Sequence, residues 1–213
     1  NPPRLLAFFG PERTDARSVK RIAALGDQGW KVLGFTFHRE RGQADPPPAW
    51  ENIHLGTTYN RRYFQRACAI VGGFWRVFRH RHRLRECGIL YSINPDNTLL
   101  ALFGRFCCGR KLPLVVEIAD IQPAMTRDGV AARLLRWMER FVLKRSQLLL
   151  TTSPGFLRHY FKPVQGYLGP VFLLENKIYP AAALVANRLP RLRPNQGGHP
   201  WVIGYFGIFR CQR

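Results

Sequence analysis

The stretch 114–153 constrains the fold of this chain more than any other. Residues 114–121 (LVVEIADI) form an apolar run bounded by Pro113 and Gln122-Pro123, the pattern of a strand buried on both faces, as in parallel sheets covered by helices. An amphipathic helical pattern over 130–145 and a second apolar run over 147–153 complete a strand-helix-strand unit. Such a crossover is right-handed in nearly every case, which sets the C-terminal ends of its strands on one common edge, where ligands bind in open α/β sheets. Glu117 and Asp120 fall at or just past the end of the first strand, and Ser153-Pro154-Gly155 closes the second.

The rest of the chain repeats this alternation. Residues 5–9 read as a buried strand ending in Gly10-Pro11, Asp15 to Ser18 opens a helix running to Gln28 with Gly29 as its stop, and residues 31–37 form the next strand. This is a β-α-β unit of about thirty residues. Its first turn holds a single glycine, so the dinucleotide fingerprint G-x-G-x-x-G is absent. Residues 53–55 support at most a short strand. Residues 88–93 are a further buried strand, followed by a helix over 98–108 that Asp96 or Asn97 would cap and Gly109 would end. Ser153 and Pro154 suit the N-cap and first position of a short helix over 156–161, and 171–174 is the last strand of this domain. The fold class expected is α/β, a Rossmann-like parallel sheet with helices on both faces. Domain limits are expected at 1–187, with a Pro/Gly/Arg-rich linker over 188–200 and the opening strand of a second domain over 201–213.

Charge narrows the partners. The 213 residues carry a formal +20, which points to a polyanion, either nucleic acid or an anionic membrane surface. Over 63–85, Phe64, Cys68, Val71, Trp75 and Phe78 recur at helical spacing, with Ile70, Phe74 and Val77 widening the stripe, while Arg62, Arg66, Arg76, Arg79 and Arg83 lie largely off it. Aromatics on one side and arginines on the other fit a helix lying on a bilayer, with Phe74, Trp75, Phe78, Arg76, Arg79 and Arg83 as its contacts; a core-packed helix with a wet charged face fits the same pattern. Gly72-Gly73 would weaken such a helix by ~1 kcal/mol per glycine, which suggests a kink there. In the helix over 130–145, Leu134, Leu135, Met138, Phe141 and Val142 form the apolar side, and Arg133, Arg136, Arg140 and Lys144 a second basic face. No uncharged stretch approaches the ~20 residues of a membrane span. Helix-turn-helix, RNP and zinc spacings are missing, so nucleic acid is not expected; the five cysteines form no C-x-x-C pair and read as reduced, mostly buried thiols. The N-terminus begins Asn1-Pro2-Pro3 rather than with Met, which suggests a fragment.

Several short motifs, in this order and spacing, resemble one family: Asp15, Arg17, Lys20, Arg21, Leu25 and Gly29 to Val32; V-V-E-I-A-D-I at 115–121; T-S-P-G-F at 152–156; E-N-K at 175–177; and G-Y-F-G-I-F-R at 204–210. Together they resemble the N-terminal half of a bacterial family 4 glycosyltransferase of GT-B fold, of the kind that assembles capsule, exopolysaccharide or O-antigen. The resemblance implies two Rossmann-like domains facing a cleft, the first holding a lipid-linked saccharide acceptor at the inner face of the cytoplasmic membrane and the second the nucleotide sugar. It also implies retaining transfer with no cofactor and no obligatory metal. With the paired-glutamate motif of the second domain outside this sequence, the chain alone is not expected to catalyse transfer. Asp120 is the candidate for contact with the acceptor hydroxyl, as base or as orienting group; many relatives carry His at this strand end and this chain has Ala119, and a turn cap is the structural alternative. Gly10, Arg13, Asn94, Glu117 and Ser153 are the other acceptor-side candidates, although Glu117, earlier in its strand, suits a buried partner for an arginine. Gly207 and Arg210 match the loop placed near the donor diphosphate. Two other readings stay open, a basic nucleic-acid-binding module and a stand-alone nucleotide-binding module without catalysis.

Overall fold

Seven short strands carry enough apolar length to be covered on both faces, and they pair as one all-parallel sheet in the order β3-β2-β1-β4-β5-β6-β7. The structure is a computed structural model that describes residues 4–39, 47–58 and 63–175, the side chains of 63–67 apart. The boundary at 187, the linker over 188–200 and the strand over 201–213 lie outside the described residues. The strands are β1 (Arg4–Gly10), β2 (Trp30–Arg39), β3 (Glu51–Thr58), β4 (Ile89–Ile93), β5 (Leu114–Ile118), β6 (Leu148–Thr151) and β7 (Val171–Leu173). The helices are α1 (Ala16–Asp27), α2 (Tyr63–Arg79), α3 (Arg81–Leu84), α4 (Pro95–Cys108), α5 (Pro123–Thr126), α6 (Val130–Leu143) and α7 (Pro154–Phe156), the last running into a π-helical turn, Leu157–Phe161.

Strand alternation divides the core in two. Phe9, Phe35, Phe37 and Leu55 face a layer that includes Val77 of α2, Leu100 and Ala101 of α4, and Leu143 of α6. Leu6, Phe8, Val32, Tyr91 and Ile93 face the opposite side, where Ile22 of α1 joins them. Phe9 and Phe35 stack at 4.6 Å on the first side, and Phe8 and Tyr91 at 5.3 Å on the second.

Local signals placed most elements. Asp15 caps α1 by accepting the Ser18 N–H at 2.9 Å, and Gly109 ends α4 at φ 69°, a left-handed geometry that costs glycine nothing. Several expectations are corrected. β3 runs over eight residues, because pairing with β2 carries its half-polar sequence and absorbs a register shift at Thr36/Phe37. α4 begins at Pro95 rather than 98, with Asn94 at the cap position, and Asn97 instead donates its side-chain amide to the Ile93 carbonyl at 2.8 Å. The helix over 63–85 breaks at His80, not at its glycines. Gly73 is buried, and a Cβ there would meet Leu100 and Phe37 at 3.4 and 3.5 Å, ordinary contact distances, so packing does not itself require glycine. In α6, Leu134 lies outward and the buried positions are Ala132, Glu139, Val142 and Leu143.

Candidate functional site

Strand order reverses between β1 and β4: the chain leaves β1 for α1 on one face and leaves β4 for α4 on the other. A crevice opens at such a switch point beyond the C-terminal ends of the strands. Gly10 lies at the end of β1, where a Cβ would stand 2.8 Å from the Phe8 ring and 3.2 Å from the Ser18 hydroxyl of α1; glycine is what lets α1 start so close. Arg13 follows in the same loop, its backbone N–H donating to the Phe37 carbonyl at 3.1 Å.

Asn94 sits across the crevice with φ 69° and ψ 154°, the one non-glycine residue with positive φ among the described residues. That region is strained for any residue with a Cβ. The strain is held by three hydrogen bonds from two sides. The Asn94 N–H donates to the Glu117 carbonyl at 3.0 Å, and the Asn94 carbonyl accepts from the Thr98 N–H at 3.1 Å and the Thr98 hydroxyl at 2.8 Å. Its side chain makes no capping bond to α4.

Glu117 is fully buried, with both carboxylate oxygens bonded by Arg21 of α1 at 3.1 Å and one of them also by the Tyr91 hydroxyl. Burial, then the adjacent Glu117 charge and hydrogen bond, drive the Tyr91 phenol well above its ordinary range. Glu117 thus fits its reading as an arginine's partner; as a direct acceptor contact it is corrected, because its oxygens are occupied inside the fold. It acts on the crevice by holding Asn94 through its carbonyl.

Asp120 is exposed in the loop two residues beyond β5, beside Ala119, whose carbonyl accepts the Thr152 hydroxyl at 2.9 Å. Ser153 accepts the Gly155 N–H at 3.1 Å, so its hydroxyl serves as the α7 cap. The same edge carries residues that the strand-end argument, extended to β2 and β3, would have reached. Glu12 is buried, accepts the Thr14 hydroxyl at 2.9 Å and pairs with Arg39 at 3.4 Å. His38 and His54 lie with ring centroids 6.4 Å apart, and burial followed by the charges of Arg76, His38 and Arg13 lowers the His54 pKa. The edge is therefore a polar, cation-rich wall able to orient a hydroxylated or anionic ligand. Gly207 and Arg210 lie outside the described residues. Among the described residues no three His, Cys, Asp or Glu side chains gather as a metal-ion cluster.

The proposed bilayer contacts separate by face. Val71, Trp75 and Phe78 are outward, Trp75 at 64% exposure, and Trp75 stacks on Phe78 at 5.8 Å with the Arg81 guanidinium 4.4 Å above the Phe78 ring. Arg79 is also exposed. Phe74, in contrast, packs edge-on against Phe103 at 5.0 Å, Arg76 donates to the Leu55 carbonyl at 3.1 Å, and Arg83 pairs with Glu51 at 2.6 Å and Glu86 at 3.3 Å. These three are engaged within the fold: α2 turns Phe74 and Arg76 toward α4 and β3, and α3 sets Arg83 against Glu51 of β3.

Comparison with known proteins agrees with this architecture. A family model described as glycosyl transferase 4-like domain matches residues 16–165. The chain is 35% identical over 210 residues to the succinoglycan biosynthesis protein ExoL of Rhizobium meliloti (strain 1021), covering 98% of this chain and 52% of that protein, so it spans about half the length of the curated relative. Sucrose-phosphate synthase from Thermosynechococcus elongatus superposes with a TM-score of 0.60 at 13% identity, over 88% of this chain and 53% of that one. A shorter structure of the same enzyme gives 0.55 at 14% identity, covering 88% of this chain and 96% of its own. The sheet order, the likeness of fold and the match over 16–165 lead to one conclusion: this chain belongs to the glycosyl transferase 4-like domain family and has the Rossmann-like fold of a GT-B glycosyltransferase half.

Proposed function

We propose that residues 4–175 form the acceptor-binding domain of a retaining glycosyltransferase that moves a sugar from a nucleotide sugar to a lipid-linked saccharide at an anionic membrane surface, with no obligatory metal. The observation that carries this reading is the reversal of strand order between β1 and β4, with a strained Asn94 and an exposed Asp120 beyond the C-terminal ends of β4 and β5 on the same edge. A saccharide acceptor agrees with the printed role of the relative in succinoglycan biosynthesis. Retention by front-face attack asks little of an enzymic base, so the chemistry allotted to Asp120 is to accept a hydrogen bond from the acceptor hydroxyl and orient it. The formal +20 favours approach to anionic lipid and to an acceptor bearing phosphates.

Isothermal titration with a soluble polyprenyl-phosphosugar analogue tests the assignment. Binding should weaken about tenfold in Asp120→Asn, the loss of one charge-assisted hydrogen bond. Equal affinity in the folded variant would remove Asp120 from the site.

A further inference from the structure

An apolar groove lies away from the strand ends that carry Asn94 and Asp120. It runs between α4 and α6, has a volume of about 1040 Å³, and reaches Pro113 and Gln147, which precede β5 and β6 at the opposite edge of the sheet from Asn94 and Asp120. Leu99, Leu102, Phe103 and Phe106 of α4 and Phe141 of α6 supply its apolar wall. Phe106 is 83% exposed, and nothing on α6 covers it. On the outer side of α6 the apolar positions continue: Val130, Leu134 and Trp137 are 73%, 62% and 60% exposed, and Trp137 lies 5.8 Å from Phe141. Exposed apolar surface of this extent marks a binding surface.

The rim of this groove has one sign. Arg105, Arg110, Lys111 and Arg145 line it, and no acidic side chain does. Arg105 spends one terminal nitrogen on the Leu112 and Arg145 carbonyls at 3.5 and 3.3 Å, and Arg145 donates to the Phe141 carbonyl at 3.1 Å while its guanidinium lies 3.6 Å over the Phe141 ring. Each guanidinium has five donors, so donors remain for a ligand. Burial, then the neighbouring Arg145 charge, lowers the Arg105 pKa. A second copy docked groove to groove would bring like charge to like charge, and a nucleic-acid duplex, with its bases stacked inside, would leave the apolar wall unused. The ligand that matches both halves is an amphiphile with an anionic head and an aliphatic chain.

We propose that the α4/α6 groove is a binding site for an anionic phospholipid, which lays one acyl chain along Leu102, Phe103 and Phe106 and sets its phosphate among Arg105, Lys111 and Arg145. This deepens the membrane part of the proposed function and rests on it for the supply of ligand. In this arrangement the bilayer-facing surface is the whole α2-α4-α6 layer rather than α2 alone, and one lipid anchors it by a specific contact.

The test uses the full chain, freed of lipid, and monomeric dihexanoyl phosphatidylglycerol below its micelle concentration, followed by titration calorimetry. Saturable binding is expected, at least about tenfold weaker for dihexanoyl phosphatidylcholine. Affinity should rise about fourfold when one further methylene enters the groove. Phe106→Glu and Arg145→Glu, both at exposed positions, should each reduce affinity about tenfold with the thermal unfolding profile retained. Equal binding of the two headgroups, inorganic phosphate competing as well as the lipid, or unchanged affinity in the folded variants overturns the proposal. Flotation on phosphatidylglycerol vesicles separates it from the reading beneath it. Flotation without saturable monomer binding removes the groove and keeps the membrane, whereas monomer binding by a chain that does not float keeps the groove and removes the membrane.

Discussion

Glu139 is buried on α6 and held by neutral donors, the Tyr160 hydroxyl at 2.6 Å and the Gln165 side-chain amide. Burial raises its pKa, and those two hydrogen bonds offset only part of the rise. A carboxyl whose folded pKa lies above its unfolded value adds stability that is complete below the unfolded pKa and is lost as pH rises through the folded one. Urea-denaturation midpoints of Glu139→Gln should therefore match the parent in acid and exceed it at neutral pH; a variant less stable at pH 7 than the parent would contradict this. Asn94 carries the opposite kind of cost, a backbone strain of about 1–3 kcal/mol by its φ and ψ. Asn94→Gly should raise stability by about 1 kcal/mol in the same measurement while weakening acceptor binding, the signature of strain kept for a site.

Among the elements, α2 shows how one amphipathic pattern is shared between two surroundings. Ile70, Phe74 and Val77 pack inward, while Val71, Trp75 and Phe78 stay outward beside Arg79 and Arg81. The core-packed reading thus holds for one part of this helix, and the bilayer reading is left with the outward Val71, Trp75, Phe78 and Arg79. Because Trp75 and Phe78 carry little of the packing, Trp75→Glu with Phe78→Glu should change stability by less than about 1 kcal/mol. The same pair should abolish flotation on anionic liposomes, since it replaces the exposed aromatics with charges that anionic lipid repels. Unchanged flotation of the folded double variant would end the interfacial reading. No helix among the described residues is long and apolar enough to cross a membrane, so α2 would act from the surface.

At the scale of the whole molecule, Arg21 and Glu117 tie α1 to β5 across β1 and β4, joining the two sides of the switch point by residues 96 positions apart. Removing one partner of a buried pair leaves an uncompensated charge. Arg21→Met should cost about 3 kcal/mol in urea denaturation, and adding Glu117→Gln, which still accepts from Tyr91, should recover much of it. A loss under about 1 kcal/mol would show that solvent reaches the pair and that the tie is weak.

The elements legible in the chain were those whose burial is written locally. Strands covered on both faces carry unbroken apolar runs, as at 5–9 and 114–118, and caps such as Asp15 and stops such as Gly109 act over a few residues. The Rossmann-like architecture followed from their order, and the positions of Asn94 and Asp120 just past β4 and β5 from the strand limits. Other features depend on partners distant in sequence. β3 owes its length to pairing with β2, and the arginine that holds Glu117 comes from another element. The strain at Asn94 exists because Glu117 and Thr98 grip its backbone from two sides. Helical periodicity says which residues share a face, but which neighbour covers that face is settled only by packing. That is why Phe74 and Leu134, equally apolar in sequence, end on opposite sides of the protein's surface, the first against Phe103 and the second in solvent.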